Sequence, residues 1–212
     1  MYNLHYFPGN ASFSPHALLN EIGAEFELSL VDRANNGQKN PDYLKLNPAG
    51  RIPTFVDGEL VLFESAAVCL YLCDKHPDAQ LAPEVGTSER GQFYKWLMFF
   101  TNSVQPDFLI YHYTRRYTTD EAEVPGMKAA AEERINHWFD IVEENMGPGP
   151  YLLGETFSAI DIYLTMLCRW GRPMAKKPAS RAKIGKLTEL VLSRPAVQKT
   201  IETEGIEGPF LG

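Results

Sequence analysis

"NLHYFPGNASFSPHALLNEIGAEFELSLVD" (residues 3–32) decides the fold of this chain. It opens on "NLHYF", a short apolar stretch with strand character, and passes into a turn built from Pro, Gly, Asn and Ser. Ser12 or Ser14 is placed to cap the helix that follows, and Pro15 suits its first turn. Ala17, Leu18 and Ile22 give that helix a buried stripe, and Gly23 stands where it should end. "EFELSLVD" then alternates, with Phe26, Leu28 and Leu30 on one face of a second strand. Strand, helix and strand in this order imply a right-handed crossover and a parallel pair.

Working outward, "PDYLKLNP" (residues 41–48) is a short helix or turn. "TFVDGELVLF" (54–63) is a hairpin that reverses at Asp57-Gly58, and "ESAAVCLYLCDKH" (64–76) is a helix. The order β-α-β-α-β-β-α within 76 residues is that of an α/β thioredoxin-like domain. Residues 77–87 carry prolines and a glycine without periodicity and form the expected linker. Residues 88–212 are expected to be an all-α domain. Ala131, Ile135, Trp138, Phe139, Val142 and Met146 recur there at helical spacing, and "SAID" (158–161) is a capping-box variant.

The bulk numbers narrow the classes of function. With 212 residues and 44% hydrophobic side chains, the chain can bury a real core. A net charge of -7 argues against a nucleic-acid binder, which needs a basic face. No stretch approaches the roughly 20 apolar residues of a membrane helix. No basic region followed by an apolar run precedes the first strand, so no signal peptide is expected. Cys69, Cys73 and Cys168 form no CxxC pair and read as small buried hydrophobes in a reducing, cytoplasmic setting. No metal site is expected.

The chemistry must then be found elsewhere. A thioredoxin-like domain that does thiol chemistry normally carries a cysteine at the end of its first strand. Here that position is "PGNAS" (8–12), without one. A thiol arriving with a ligand resolves the difficulty, and two segments favour that reading. In "NPAGRIP" (47–53), the Ile52-Pro53 bond ahead of a hairpin strand is a candidate cis peptide. It would leave the Ile52 amide and carbonyl free to pair with an extended peptide. In "FESAA" (63–67), Ser65 opens a helix, and a hydroxyl at a helix N-terminus is a carboxylate site. Glu64 beside it suits an ammonium group. Carboxylate and ammonium on one carbon make an amino-acid head group.

"NPAGRIP" followed by "ESAA", whose Glu64 lies 11 residues beyond Pro53, resembles the glutathione-site signature of the glutathione transferase family. "SAID" is similar to the capping motif of that family's helical domain. "YFPGNASFSPH" (6–16) looks most like the bacterial beta class, with Ala11 where that class typically has cysteine, or like a nu-like relative. The resemblance implies a thioredoxin-like domain followed by an all-α domain, a homodimer, and glutathione as cosubstrate. It implies glutathione binding through Ile52, Pro53, Glu64 and Ser65, with Gln38, Lys39 or Arg51 for the glycyl carboxylate. With no cysteine at Ala11, the candidates for holding the thiolate are Ser12, Asn10 and Tyr6.

The energies required are modest. A free thiol has a pKa of about 8.5, so little of it is thiolate at neutral pH. Lowering that value by about two units takes roughly 2.7 kcal/mol. One neutral hydrogen-bond donor supplies about 1 kcal/mol, and a partly buried helix N-terminus up to about 2. A hydroxyl, an amide and a helix terminus together suffice without a general base.

"FLIYHYTRRY" (108–117) is expected to line a pocket for a hydrophobic acceptor, through Phe108, Tyr111, His112 and Arg115, with Trp170 as a second wall. The expected activity is conjugation of the glutathione thiolate to a hydrophobic electrophile. The alternatives are a glutathione-dependent disulfide reductase or peroxidase, and a non-catalytic glutathione-binding scaffold.

Overall fold

The computed structural model describes residues 1–212, which divide into two compact units. The first comprises Met1–Ala82 with Val191–Phe210, and the second Pro83–Leu190 with Leu211–Gly212.

The first unit is thioredoxin-like. Its elements are β1 (Tyr2–Tyr6), α1 (Phe13–Ile22), β2 (Phe26–Leu30), α2 (Pro41–Leu46), β3 (Thr54–Asp57), β4 (Leu60–Phe63) and α3 (Ser65–Lys75). The sheet order is β2-β1-β3-β4. β1 pairs parallel with β2, Leu4 beside Leu28, and antiparallel with β3, Leu4 beside Phe55. Gly23, at a φ of 71°, ends α1, and Gly58, at 60°, closes the β3–β4 hairpin. One face of the sheet carries Tyr2, Leu4 and Phe55, packed with α1 and α3. On the other face His5 meets Tyr43 of α2. Leu30 departs from its expected burial: it is 62% exposed, because it ends β2, an edge strand.

The second unit holds α4 (Ser88–Phe99), α5 (Gln105–Tyr113), α6 (Val124–Asn145) and α7 (Ala159–Trp170), with most of α8 (Ala182–Leu192). A π-helical turn over Phe100–Val104 joins α4 to α5. The α6 stripe is buried at Ala131, Ile135, Phe139 and Val142. Trp138 is instead half-buried and donates its indole N–H to Asp107 at 2.7 Å.

The last helix, α9 (Pro195–Thr203), does not stay with the helical unit as the 88–212 boundary implied. It returns to α1 in antiparallel register. Arg194 makes a two-pronged ion pair with Glu21 at 2.6 and 2.8 Å, and Asn20 donates to Thr200 at 2.9 Å. Phe13 packs on Phe210 with ring centroids 4.8 Å apart. Covered by the sheet on one side and α9 on the other, α1 is buried at every position from Phe13 to Leu19.

The "SAID" box is formed. The Asp161 carboxylate, itself buried, accepts from Ser158 N–H at 2.8 Å and from Leu152 N–H at 2.9 Å. Asp161→Ala strands both amides in the interior. Urea denaturation should show a loss of about 3 kcal/mol, since each unpaired buried donor costs about 1–3.

Candidate functional site

The turn after β1 is built by its own residues. Asn10 N–H donates to Phe7 O at 3.1 Å, with Pro8 and Gly9 between them and Gly9 at a φ of 64°. Pro in the second place and a positive-φ Gly in the third define a type II turn. Asn10 Oδ1 accepts from Ala11 N–H at 2.6 Å, which sets the plane of its carboxamide. Its Nδ2 has no partner in the chain, and the side chain is partly exposed, so one amide donor faces outward uncommitted.

Ser12 is arranged differently from its expected capping role. It sits at the N-cap position, but its hydroxyl makes no bond to the helix. Instead Oγ donates to Phe7 O at 3.1 Å and accepts from Phe7 N–H at 3.2 Å, and the residue is fully buried. Ser12 therefore braces the turn from beneath. Tyr6 is part-buried with its ring edge-on to His16, 6.1 Å between centroids, on the α1 side of the sheet.

The "NPAGRIP" loop is held by two side chains that sequence reasoning did not single out. Asn47 is buried, and its Nδ2 donates to Arg51 O at 2.9 Å and Pro53 O at 3.3 Å. Tyr43 donates to Arg51 O at 2.6 Å. The Ile52–Pro53 bond is cis. Ile52 is buried, yet neither its N–H nor its C=O is paired in the chain, although both neighbouring carbonyls are braced. Buried backbone groups are almost always satisfied, so an unpaired amide and carbonyl on one residue are an exception to the rule.

Gln38 and Lys39 lie against the same loop. A Cβ added at Gly50 would meet Lys39 Nζ at 2.7 Å and Gln38 O at 2.9 Å. The Gln38 carboxamide oxygen is buried without a partner. Arg51 is exposed beside them, its carbonyl held by Tyr43 and Asn47 and its guanidinium free.

At the start of α3, Glu64 adopts a φ of 74°, strained for a residue with a side chain. Its carboxylate is exposed and has no partner. The first helical bond runs from Val68 N–H to Glu64 O, so the amides of Ser65, Ala66 and Ala67 are left open. Ser65 is buried, and its hydroxyl donates to Ala11 O at 2.6 Å rather than standing free for a carboxylate. It ties the start of α3 to the turn after β1.

The aromatic residues expected to line an acceptor pocket mostly pack on one another. Phe108 and Tyr111 are core residues. Phe108 meets Trp170 edge-on at 6.0 Å, and His112 Nε2 lies 2.9 Å from Trp170 O. Desolvation lowers the His112 pKa from its ordinary value, partly opposed by that carbonyl. Arg115 is exposed and paired with Glu121. Only His112, Arg115 and the partly buried Trp170 offer surface to a ligand. The stretch mixes aromatic with charged residues, and a packed helix face has the same composition as a pocket wall.

The three cysteines are buried and form no disulfide. Burial pushes the Cys69 and Cys168 thiols well above their ordinary values. No group of His, Cys, Asp and Glu is placed to hold a metal ion.

An unpaired backbone edge, an open helix N-terminus and an uncommitted amide lie around a turn that carries no cysteine. Residues 2–74 match the family model "Glutathione S-transferase, N-terminal domain". Glutathione S-transferase F14 of Arabidopsis thaliana is 30% identical over 197 residues, covering 86% of this chain and 76% of that protein. A glutathione transferase from Methylococcus capsulatus is 31% identical with a TM-score of 0.85, over 98% of this chain and 100% of that one. A glutathione transferase homologue from Sulfitobacter, solved with bound glutathione, is 26% identical with a TM-score of 0.89, over 98% and 99%. The chain belongs to the glutathione S-transferase family.

Two outcomes test this geometry. Glu64→Gly relieves the left-handed strain at that position, so the variant should unfold at a temperature no lower than the parent while binding glutathione about tenfold more weakly, as loss of a charged partner predicts. Calorimetry checks both. A thiol reagent that colours on reaction should find none of Cys69, Cys73 or Cys168 until denaturant is added.

Proposed function

We propose that this protein conjugates the thiolate of glutathione to a hydrophobic electrophile, as a beta-class-like transferase that works without a cysteine at Ala11. The observation that carries the reading is the buried, unpaired backbone of Ile52. Pairing it with the cysteinyl backbone of glutathione satisfies both groups and fixes where the sulfur goes. The open amides at the start of α3, that of Ser65 among them, then receive the γ-glutamyl carboxylate, Glu64 the ammonium group, and Gln38, Lys39 and Arg51 the glycyl carboxylate.

Asn10 is the first choice for holding the thiolate, because its Nδ2 is uncommitted. Ser12 follows: its hydroxyl must leave Phe7 O before it can donate to sulfur, which costs much of what it gains. The positive end of α1 adds to either. In the chemical step the thiolate lone pair forms a carbon–sulfur bond to the electrophile. The displaced group leaves with the bonding pair, or the acceptor takes up a proton from water after addition. Trp170, His112 and Arg115 are the side chains assigned to the acceptor.

The protein is further proposed to act as a homodimer in a reducing cytoplasm, where glutathione is held as the thiol. No helix is long and apolar enough to cross a membrane. Leu60 and Phe63 of the first unit and Tyr94 and Met98 of the second are exposed apolar side chains that a partner subunit would cover. Light scattering should return about twice the 23.9 kDa chain mass.

Thiolate absorbance followed against pH tests the central step. Bound glutathione should titrate about two units below the free thiol, and Asn10→Ala should reverse about one of them, with affinity changed less. Turnover with an aryl halide and inactivity toward a glutathione mixed disulfide support conjugation, and the reverse pattern selects a reductase. Glutathione bound with an unshifted thiol refutes the transferase reading.

A further inference from the structure

The turn that carries Asn10 is anchored from an unexpected direction. The middle amide of a β-turn has no partner within the turn, and here that amide belongs to Gly9. It donates to Glu204 Oε2 at 2.8 Å. The other carboxylate oxygen, Oε1, lies 2.9 Å from Nδ1 of His16 on α1. Both side chains are sealed from solvent, at 1% and 0% exposure. Glu204 follows directly on α9 and comes from a segment more than 190 residues downstream of the turn.

Burying a carboxylate costs several kcal/mol before its hydrogen bonds are counted, so an apolar side chain would stabilise the α1–α9 contact at less expense. The contact does not need Glu204 for its strength. It already has the Arg194–Glu21 pair and the Asn20–Thr200 bond, and beyond α9 Phe210 packs on Phe13. What Glu204 adds is a fixed acceptor for one amide. With glycine in the third place, the middle peptide of a turn flips between the type I and type II arrangements at low cost. The flip exchanges the N–H of Gly9 for the C=O of Pro8. An acceptor in a fixed position admits only the arrangement that presents the N–H.

We infer that Glu204 is a positioning residue for thiol activation, holding the Pro8–Gly9 peptide so that the Asn10 amide meets the sulfur. This rests on the glutathione-binding reading given above. It makes the C-terminal segment part of the site of the first unit. Asn10 follows the anchored peptide directly, and its own N–H closes the turn onto Phe7. Freeing Gly9 therefore loosens the donor without touching any residue proposed to contact glutathione.

The test compares four variants by thiolate absorbance against pH, glutathione affinity by calorimetry, and thermal unfolding. Glu204→Ala removes the acceptor, and Glu204→Asp withdraws it by one methylene. Both should raise the pKa of bound glutathione, giving about three- to tenfold less thiolate near neutral pH, with Kd changed less than the thiolate fraction. Glu204→Gln keeps an oxygen for Gly9, while its NH2 can donate to His16 once that ring changes tautomer, so it should titrate like the parent. Arg194→Ala weakens the α1–α9 clamp away from the turn. It should lower the unfolding temperature and leave the thiol pKa alone.

If Glu204→Ala does not fold, Glu204→Asp carries the comparison. A folded Ala or Asp variant that titrates like the parent overturns the inference. So does an Arg194→Ala variant that shifts the thiol as far as the Glu204 variants, since the effect would then be one of docking alone. A parent that binds glutathione but leaves its thiol at the ordinary value overturns the transferase reading and this role together. A parent with a lowered thiol and unresponsive Glu204 variants overturns this role only.

Discussion

The hydrogen bond from Ser65 to the Ala11 carbonyl joins the two ends of the candidate site. Two helices begin there, α1 after the turn of 7–12 and α3 after Glu64. Each leaves amides open at its start, and a helix N-terminus attracts an anion only over its first turn. One bond at 2.6 Å ties the two starts to each other.

The rest of the site consists of supports for groups left deliberately unsatisfied. Asn47 and Tyr43 take up the carbonyls on either side of Ile52, and Ile52 itself is left open. Ser12 closes on Phe7 beneath a turn whose outward amide stays free. Glu64 is held in a left-handed conformation that exposes its carboxylate. Such strain and such orphan groups cost free energy in the empty protein, and a ligand that relieves them recovers it. The absence of a reactive cysteine is thus compatible with thiol chemistry, provided the ligand brings the sulfur.

Much of this was legible in the sequence because it rests on local chemistry. Gly23 and Gly58 mark the ends of elements through their positive φ, and the strand–helix–strand order follows from patterns of apolar residues. The "NPAGRIP" and "ESAA" segments carry their own geometry, so the cis bond at Pro53 and the helix start at Ser65 were legible without a structure. What could not be read depends on distant partners. Glu204 lies in "TIETEGIEG" (200–208), which reads as a solvated polar stretch, and nothing local says that α1 will close over it. Phe108 and Tyr111 have the same pattern in a core as in a pocket wall. Ser12 looks like a helix cap until Phe7 is seen to occupy its hydroxyl. Leu30 follows the alternation of its strand but falls at an exposed end.

A crystal structure of the protein with glutathione tests the account most directly. The account predicts the cysteinyl N–H and C=O of glutathione paired with Ile52, and the sulfur within hydrogen-bond distance of Asn10 Nδ2. Glutathione bound with its sulfur turned away from the 7–12 turn, or with the Ile52 backbone still unpaired, would contradict it.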